Sequence, residues 1–156
     1  MSDEKVTAVK AEVQRLLDAN VIREVKYPTW LMNTVPVKKK NGKLRMCIDF
    51  TDLNNACPKD DFPLPRIDKI VDDAANGQLM SVLDCFSRYH QIWMRSEDEE
   101  KTSIITPFGT YCFIRMPEGL KNTGQSFSRM TSKVLEPQLK RNILAYVDDI
   151  IVISVA

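Results

Sequence analysis

The sequence holds one histidine and four cysteines, and none of the cysteines forms a Cys-x-x-Cys. Zinc-ligand spacing is therefore missing, and nothing suggests a disulfide framework. Cys47, Cys57, Cys85 and Cys112 are read as free, mostly buried thiols in a reducing compartment. No signal or transit peptide stands out, and no apolar stretch is long enough to span a membrane. The expectation is a soluble intracellular protein with no membrane partner. Internal repeats and low-complexity segments are absent as well. At 156 residues the chain can build one domain with a real core, or two small lobes. It also has almost no net charge, +1 overall. That sum hides a local asymmetry. Lys38, Lys39, Lys40, Lys43 and Arg45 cluster around Asn41-Gly42, whereas Glu97, Asp98, Glu99 and Glu100 form an acidic run. A neutral total thus does not exclude nucleic acid, because the placement of charge matters more than its sum.

Coarse patterning predicts an α+β order. Val6, Val9, Val13, Leu16 and Leu17 recur at helical spacing, which predicts an amphipathic helix over about 4–19. Val35–Val37 and Leu44–Phe50 read as strands joined by the Asn41-Gly42 turn, a strong hairpin signal. An irregular connector with Pro58, Pro63 and Pro65 covers 54–65, and a short helix follows over about 66–75. Leu79–Leu83 reads as a strand ending at Asp84, and Gln91–Met94 as another. A hairpin turns around Pro107-Phe108-Gly109, and a helix is predicted over about 124–135.

The most telling segment is Ile143-Leu144-Ala145-Tyr146-Val147-Asp148-Asp149-Ile150-Ile151-Val152-Ile153. Its apolar, β-branched flanks read as two buried strands, and only carboxylates stand at the break. Two adjacent carboxylates repel and are costly to bury without a cation. Asp84, at the end of a strand-like run, would join them if its strand lies beside this hairpin. Three such groups suit a pair of divalent ions about 4 Å apart, and magnesium prefers these hard oxygen donors. Blander readings stand beside this one. Asp-Asp serves as a plain turn, Asp84 as a helix N-cap, and the lysine cluster as a solvated loop. The lysines and Arg45 also suit a triphosphate.

Five ordered blocks decide between these readings. They are Arg45-Met46-Cys47-Ile48-Asp49-Phe50-Thr51-Asp52-Leu53-Asn54, Phe62-Pro63-Leu64-Pro65-Arg66-Ile67, Leu83-Asp84-Cys85-Phe86-Ser87-Arg88-Tyr89-His90-Gln91-Ile92, Met116-Pro117-Glu118-Gly119-Leu120-Lys121-Asn122 and Tyr146-Val147-Asp148-Asp149. Together they resemble the reverse transcriptase of gypsy-type LTR retrotransposons, with wording closest to plant elements, and more distantly that of retroviruses.

The resemblance implies the fingers and part of the palm of a right-hand polymerase: an antiparallel sheet with packed helices, and the N-terminal amphipathic helix. As a division of one domain over 1–156, about 20–78 would be mostly fingers and about 79–156 mostly palm with interleaved fingers segments. Thumb, connection and ribonuclease H would lie beyond Ala156, outside the chain. Asp84, Asp148 and Asp149 match the catalytic, metal-binding aspartates, implying two Mg²⁺ ions with Mn²⁺ as a substitute. Tyr89 matches the aromatic gate against a ribose 2′-hydroxyl. Lys39 and Arg45 match residues holding the triphosphate, and Cys85, Glu118 and Gly119 fall in the nucleotide-binding blocks. Tyr146 and Val147 would lie under the primer terminus.

Implied partners are an RNA or DNA template–primer and deoxynucleoside triphosphates, with self-association through surface left uncovered. The implied location is cytoplasmic, in a retrotransposon particle, with the nucleus as a second site. Three places depart from the common pattern: Arg88 stands where a glycine usually precedes the gate tyrosine, Glu118 replaces phenylalanine or glutamine, and Gly124-Gln125 replaces a more usual small or proline-containing pair. RNA-directed DNA polymerisation, weak in this chain alone, is the leading expectation. A non-catalytic remnant that binds protein or nucleic acid is the alternative, and a metal-dependent nuclease is a third reading.

Overall fold

The computed structural model describes residues 3–139 and 141–154. These divide into two units, Met1–Pro58 with His90–Leu120 and Lys59–Tyr89 with Lys121–Ala156.

The first unit begins with α1 (Asp3–Asp18), whose Val9, Val13 and Leu16 are buried on one face. Asp3 and Glu4 occupy its first turn and Arg15 its last, each sign opposing the helix dipole. The helix stops because Asn20 turns left-handed, with φ of 53°. Val21 N–H then donates to Leu16 C=O (2.9 Å) and Asn20 N–H to Leu17 C=O (3.0 Å), a Schellman closure. Strands β1 (Ile22–Glu24), β2 (Met32–Lys38) and β3 (Leu44–Ile48) follow. The β2–β3 hairpin pairs Lys38 with Leu44. At its tip Gly42 N–H donates to Lys39 C=O (2.9 Å). Gly42 has φ of 80°, the conformation Asn-Gly foretold.

Helix α2 (Thr51–Ala56) runs three residues into the stretch 54–65 that was expected to be irregular. Asp49 explains it: its carboxylate accepts from Thr51 N–H (3.0 Å) and the Thr51 hydroxyl (2.5 Å), closing the entry turn. Those bonds hold Asp49 below the usual carboxylate range. The same turn ends β3 at Ile48, two residues short of the expected strand. Gln91–Met94 is not a strand. Arg88–Gln91 forms a 3₁₀ turn, and Trp93 makes a single bridge to Arg115. Arg115 stacks 3.3 Å from the Trp93 ring centroid, so the alternation there serves a cation–π contact instead of a ladder. The acidic run forms α4 (Ser96–Glu99), and Glu99 accepts from Arg23 of β1 at 2.9 Å.

Strands β5 (Ile104–Thr106) and β6 (Gly109–Phe113) complete a sheet ordered β1-β6-β5-β2-β3. All its pairings are antiparallel except β2 with β5. Val9, Val13, Leu16, Val21, Ile22, Met32, Phe50, Ile104 and Phe113 form its core. Phe50 meets Phe113 edge-on, with ring centroids 6.4 Å apart.

The second unit contains α3 (Ile67–Ala74), β4 (Leu79–Asp84), α5 (Thr123–Val134), β7 (Ile143–Tyr146) and β8 (Asp149–Ser154). Its antiparallel sheet is ordered β4-β8-β7. Gly77 admits the chain to this sheet: a Cβ there would lie 2.1 Å from Ile153 Cγ2. The apolar flanks of the aspartate pair are strands, but they are not the buried strands expected. Among β7 residues only Leu144 is buried, and β8 is half-buried at best. Every residue of edge strand β4 is exposed, Leu79 at 73% and Val82 at 68%. Period-2 hydrophobicity reports a face that could be covered, and the covering layer is a tertiary matter.

Candidate active site

The second unit assembles the three aspartates from two strand ends. Asp84 closes β4 and is the Cα partner of Asp149, the first residue of β8. Directly opposed residues of an antiparallel pair share a face, so two carboxylates sit on one side of the sheet. Tyr146 pairs with Asp149, so the turn is Val147-Asp148, one residue earlier than the expected Asp148-Asp149 turn. Val147 has φ of 52°, which a β-branched residue strongly disfavours. Positive φ at the first central position alone marks a type II′ turn, where glycine is preferred. Strain of this kind costs roughly 1–3 kcal/mol and persists only where the surroundings enforce it. The β7–β8 ladder does so here.

Asp148 and Asp84 converge on one cation. Arg88 Nη1 lies 3.0 Å from Asp148 Oδ2, and Arg88 Nε lies 3.4 Å from Asp84 Oδ1. The Asp148 side chain is mostly sheltered, at 18% exposure, whereas that of Asp84 is open, at 67%. Among the described residues, no three His, Cys, Asp or Glu side chains are grouped to hold a metal ion. Two carboxylates converging on one positive charge nevertheless match what a hard divalent cation requires, since such an ion takes one or two carboxylates and completes its shell with phosphates and water. The donor set fits.

Cys85 follows Asp84 and is half-buried; burial first, then Asp148, Asp84 and Asp149, push its thiol pKa up. It remains a neutral thiol at pH 7. Tyr89 packs edge-on against the fully buried Phe127 of α5, with centroids 5.7 Å apart and planes at 89°. Its ring direction is set by core contact. Tyr146 and Val147 are half-buried, and Val147 faces α5 at Gly124, where a Cβ would lie 3.8 Å from Val147 Cγ1. Asp60, which sequence reasoning passed over, accepts from Arg129 Nη2 through both oxygens at 2.8 Å. Arg129, then Phe62 N–H, hold its carboxyl below the usual range. Its Asp type carried no signal, because the partner lies 69 residues away.

The first unit carries the remaining predicted residues. Arg45 of β3 forms an ion pair with Glu118, and both side chains are half exposed. Gly119, left-handed at φ of 95°, accepts from Asn54 Nδ2 of α2 at 2.8 Å. Arg45, Glu118 and Gly119 line a cavity of about 440 Å³ shared with Glu12, Arg15 and His90. Burial first, then Arg15, lowers the pKa of His90 against the opposing pull of Glu118 and Glu12. Lys39 lies at the exposed β2–β3 tip, outside that cavity's lining.

Comparison with known proteins fits this geometry. The fold is shared with the foamy viral protease–reverse transcriptase solved with an RNA/DNA hybrid: TM-score 0.87, 17% identity, covering 100% of this chain and 21% of that one. The family described as "Reverse transcriptase (RNA-dependent DNA polymerase)" matches residues 37–156. The Pol polyprotein of the gypsy transposon of Drosophila melanogaster is 35% identical over 151 residues, 94% of this chain and 15% of that polyprotein. An RNA-directed DNA polymerase homolog of Oenothera berteroana is 35% identical over 112 residues, 72% of this chain and 79% of that protein. The chain belongs to the reverse transcriptase family, in the form carried by LTR-retrotransposon Pol polyproteins. It spans only a small part of those polyproteins. Reverse transcriptases use divalent metal ions.

Proposed function

We propose that this chain is the fingers–palm portion of an RNA-directed DNA polymerase from a retrotransposon, with a plant host suggested by the wording of its motifs. The carrying observation is the convergence of Asp84 and Asp148 on one cation, with Asp149 opposite Asp84 in the strand register. The first unit corresponds to fingers and the second to palm. Asp84 and Asp148 are the residues that would hold divalent ions, with Asp149 as the third carboxylate. Two Mg²⁺ ions, or Mn²⁺ in their place, supply charge neutralisation at the triphosphate and activation of the primer 3′-hydroxyl. That hydroxyl would lose its proton to solvent as its oxygen bonds to the α-phosphorus, and the bond from that phosphorus to the α,β-bridging oxygen breaks so that pyrophosphate leaves. Tyr89, anchored on Phe127, rejects a ribose 2′-hydroxyl by contact, and Cys85 belongs to the same nucleotide-binding block. Lys39 and Arg45 answer the triphosphate charge, with Glu118 and Gly119 shaping Arg45's surroundings. Tyr146 and Val147 support the primer terminus. A template–primer is the partner, as for the neighbour solved with an RNA/DNA hybrid, and the exposed apolar face of β4 favours self-association. A cytoplasmic place in the element's particle goes with this reading.

Single-nucleotide primer extension with the chain in excess tests the proposal. Slow extension is expected, with Asp84→Asn and Asp148→Asn each lowering it by about 100-fold or more. No extension by the unaltered chain in Mg²⁺ or Mn²⁺ would sink the catalytic reading.

One observation favours a second reading, a binding module without catalysis: Arg88 already occupies the two carboxylates. That reading predicts template–primer binding unchanged by Asp84→Ala and Asp148→Ala in a gel-shift titration.

A further inference from the structure

Arg88 stands four residues beyond Asp84, in the segment Cys85-Phe86-Ser87-Arg88-Tyr89 that leaves β4. Its N–H donates to Cys85 C=O at 3.1 Å, closing a tight turn. Ser87 and Arg88 both have left-handed backbones, with φ of 56° and 33°. Two consecutive non-glycine residues in that region are disfavoured, because Cβ crowds the neighbouring carbonyl. Glycine would relieve the strain at either position. The chain instead keeps at position 88 its most persistently charged side-chain type.

The turn doubles the backbone so that this guanidinium reaches back to Asp84 and across to Asp148. Two different nitrogens address two different residues, Nη1 on Asp148 and Nε on Asp84. A cation at this point answers a clear electrostatic need, because Asp84 faces Asp149 across the ladder and Asp148 precedes Asp149. Like charges so placed destabilise a sheet unless a counter-charge is supplied.

We propose that Arg88 is a built-in counter-ion that holds the Asp84–Asp148 site closed in the metal-free chain and sets its affinity for divalent cations. The inference rests on the metal-site reading given above. A divalent ion would be held by Asp84 and Asp148, the carboxylates that Arg88 contacts, and two positive charges brought to the same carboxylates repel. Ion entry therefore requires the guanidinium to swing out, and the lost contacts weaken binding. Arg88 is a positioning residue for the carboxylates; it takes no part in bond making.

Titration of the whole chain with Mn²⁺, followed by the electron paramagnetic resonance of free Mn²⁺, reads this without any catalysis. Arg88→Gln removes the charge and keeps the left-handed backbone; Arg88→Gly removes the charge and relieves the backbone. Both are expected to bind Mn²⁺ about tenfold tighter than the unaltered chain, the scale of a neighbour that tunes a metal's ligands. Arg88→Lys should stay near the unaltered value. Adding Asp148→Asn to Arg88→Gly should abolish the gain. Thermal unfolding in a chelator reports on folding: Arg88→Gln should unfold earlier, and Mn²⁺ should restore it more than it helps the unaltered chain.

If Arg88→Gln and Arg88→Gly bind no tighter, while Asp148→Asn still removes binding, Arg88 is no counter-ion and the metal-site reading survives. If they bind tighter but Asp84→Asn and Asp148→Asn change nothing, the metal lies elsewhere and both ideas fail. Binding by none of the variants at millimolar Mn²⁺ also overturns the proposal.

Discussion

The two units solve opposite electrostatic problems by the same device. In the first, a cation proposed for phosphate, Arg45, is held by the acid Glu118. In the second, acids proposed for metal, Asp84 and Asp148, are held by the cation Arg88. Each unit thereby carries its own counter-charge. Their packing differs more sharply. The first unit closes nine buried apolar side chains between α1 and the five-stranded sheet. The second leaves Leu79, Met80, Val82 and Leu83 of β4 exposed. Burial holds the one together, while the other keeps an apolar strand open on both faces.

The largest test of that contrast is in the cores. Ile104→Ala, at a fully buried position, is expected to cost about 2–5 kcal/mol in urea unfolding. Val82→Thr on open β4 should stay within about 0.5 kcal/mol. Similar losses at both positions would erase the distinction between the units.

A smaller effect concerns His90. Its folded pKa lies below its ordinary value because burial and Arg15 disfavour the imidazolium. The unfolded chain therefore binds the proton more readily. Stability is full above the unfolded pKa of about 6.5 and falls as pH drops toward the folded value. Chemical unfolding between about pH 7 and 5 should show this slope, and His90→Gln should flatten it.

The smallest expected effect is at Glu118. Because the pair with Arg45 is half exposed, removing the acid releases only about 0.2–1 kcal/mol of competing attraction. Glu118→Gln should tighten a fluorescent deoxynucleoside triphosphate by roughly 1.4- to fivefold. Weaker binding would mean that Glu118 helps the nucleotide instead of competing with it.

Much of the fold was readable along the chain wherever the signal was local. Helix α1 followed from the Val and Leu spacing, the β2–β3 hairpin from Asn41-Gly42, and the β7–β8 hairpin from apolar runs around two aspartates. What escaped depended on partners far off in sequence or on side chains bonding to the backbone. Strand β1 is three residues long and exists by pairing with β6. Helix α2 starts where Asp49 closes a turn, and Trp93 is held by a bridge and an arginine where a strand was expected. The carboxylates were conspicuous as a group, yet nothing local in Phe86-Ser87-Arg88 says where the guanidinium goes. A side chain with that reach takes its direction from the backbone, and here two left-handed residues aim it.

By itself the sequence determined the family and the chemical types present: three aspartates beside apolar runs, an aromatic after the first, a basic hairpin and an acidic run. These are properties of residue identity and spacing, which the chain carries before it folds. Tertiary structure alone decided which charges neutralise which, because Coulomb attraction depends on separation through space. It put Asp84 opposite Asp149, set the turn at Val147-Asp148, and left β4 uncovered. It also placed Arg88 on the carboxylates that make this chain a candidate polymerase.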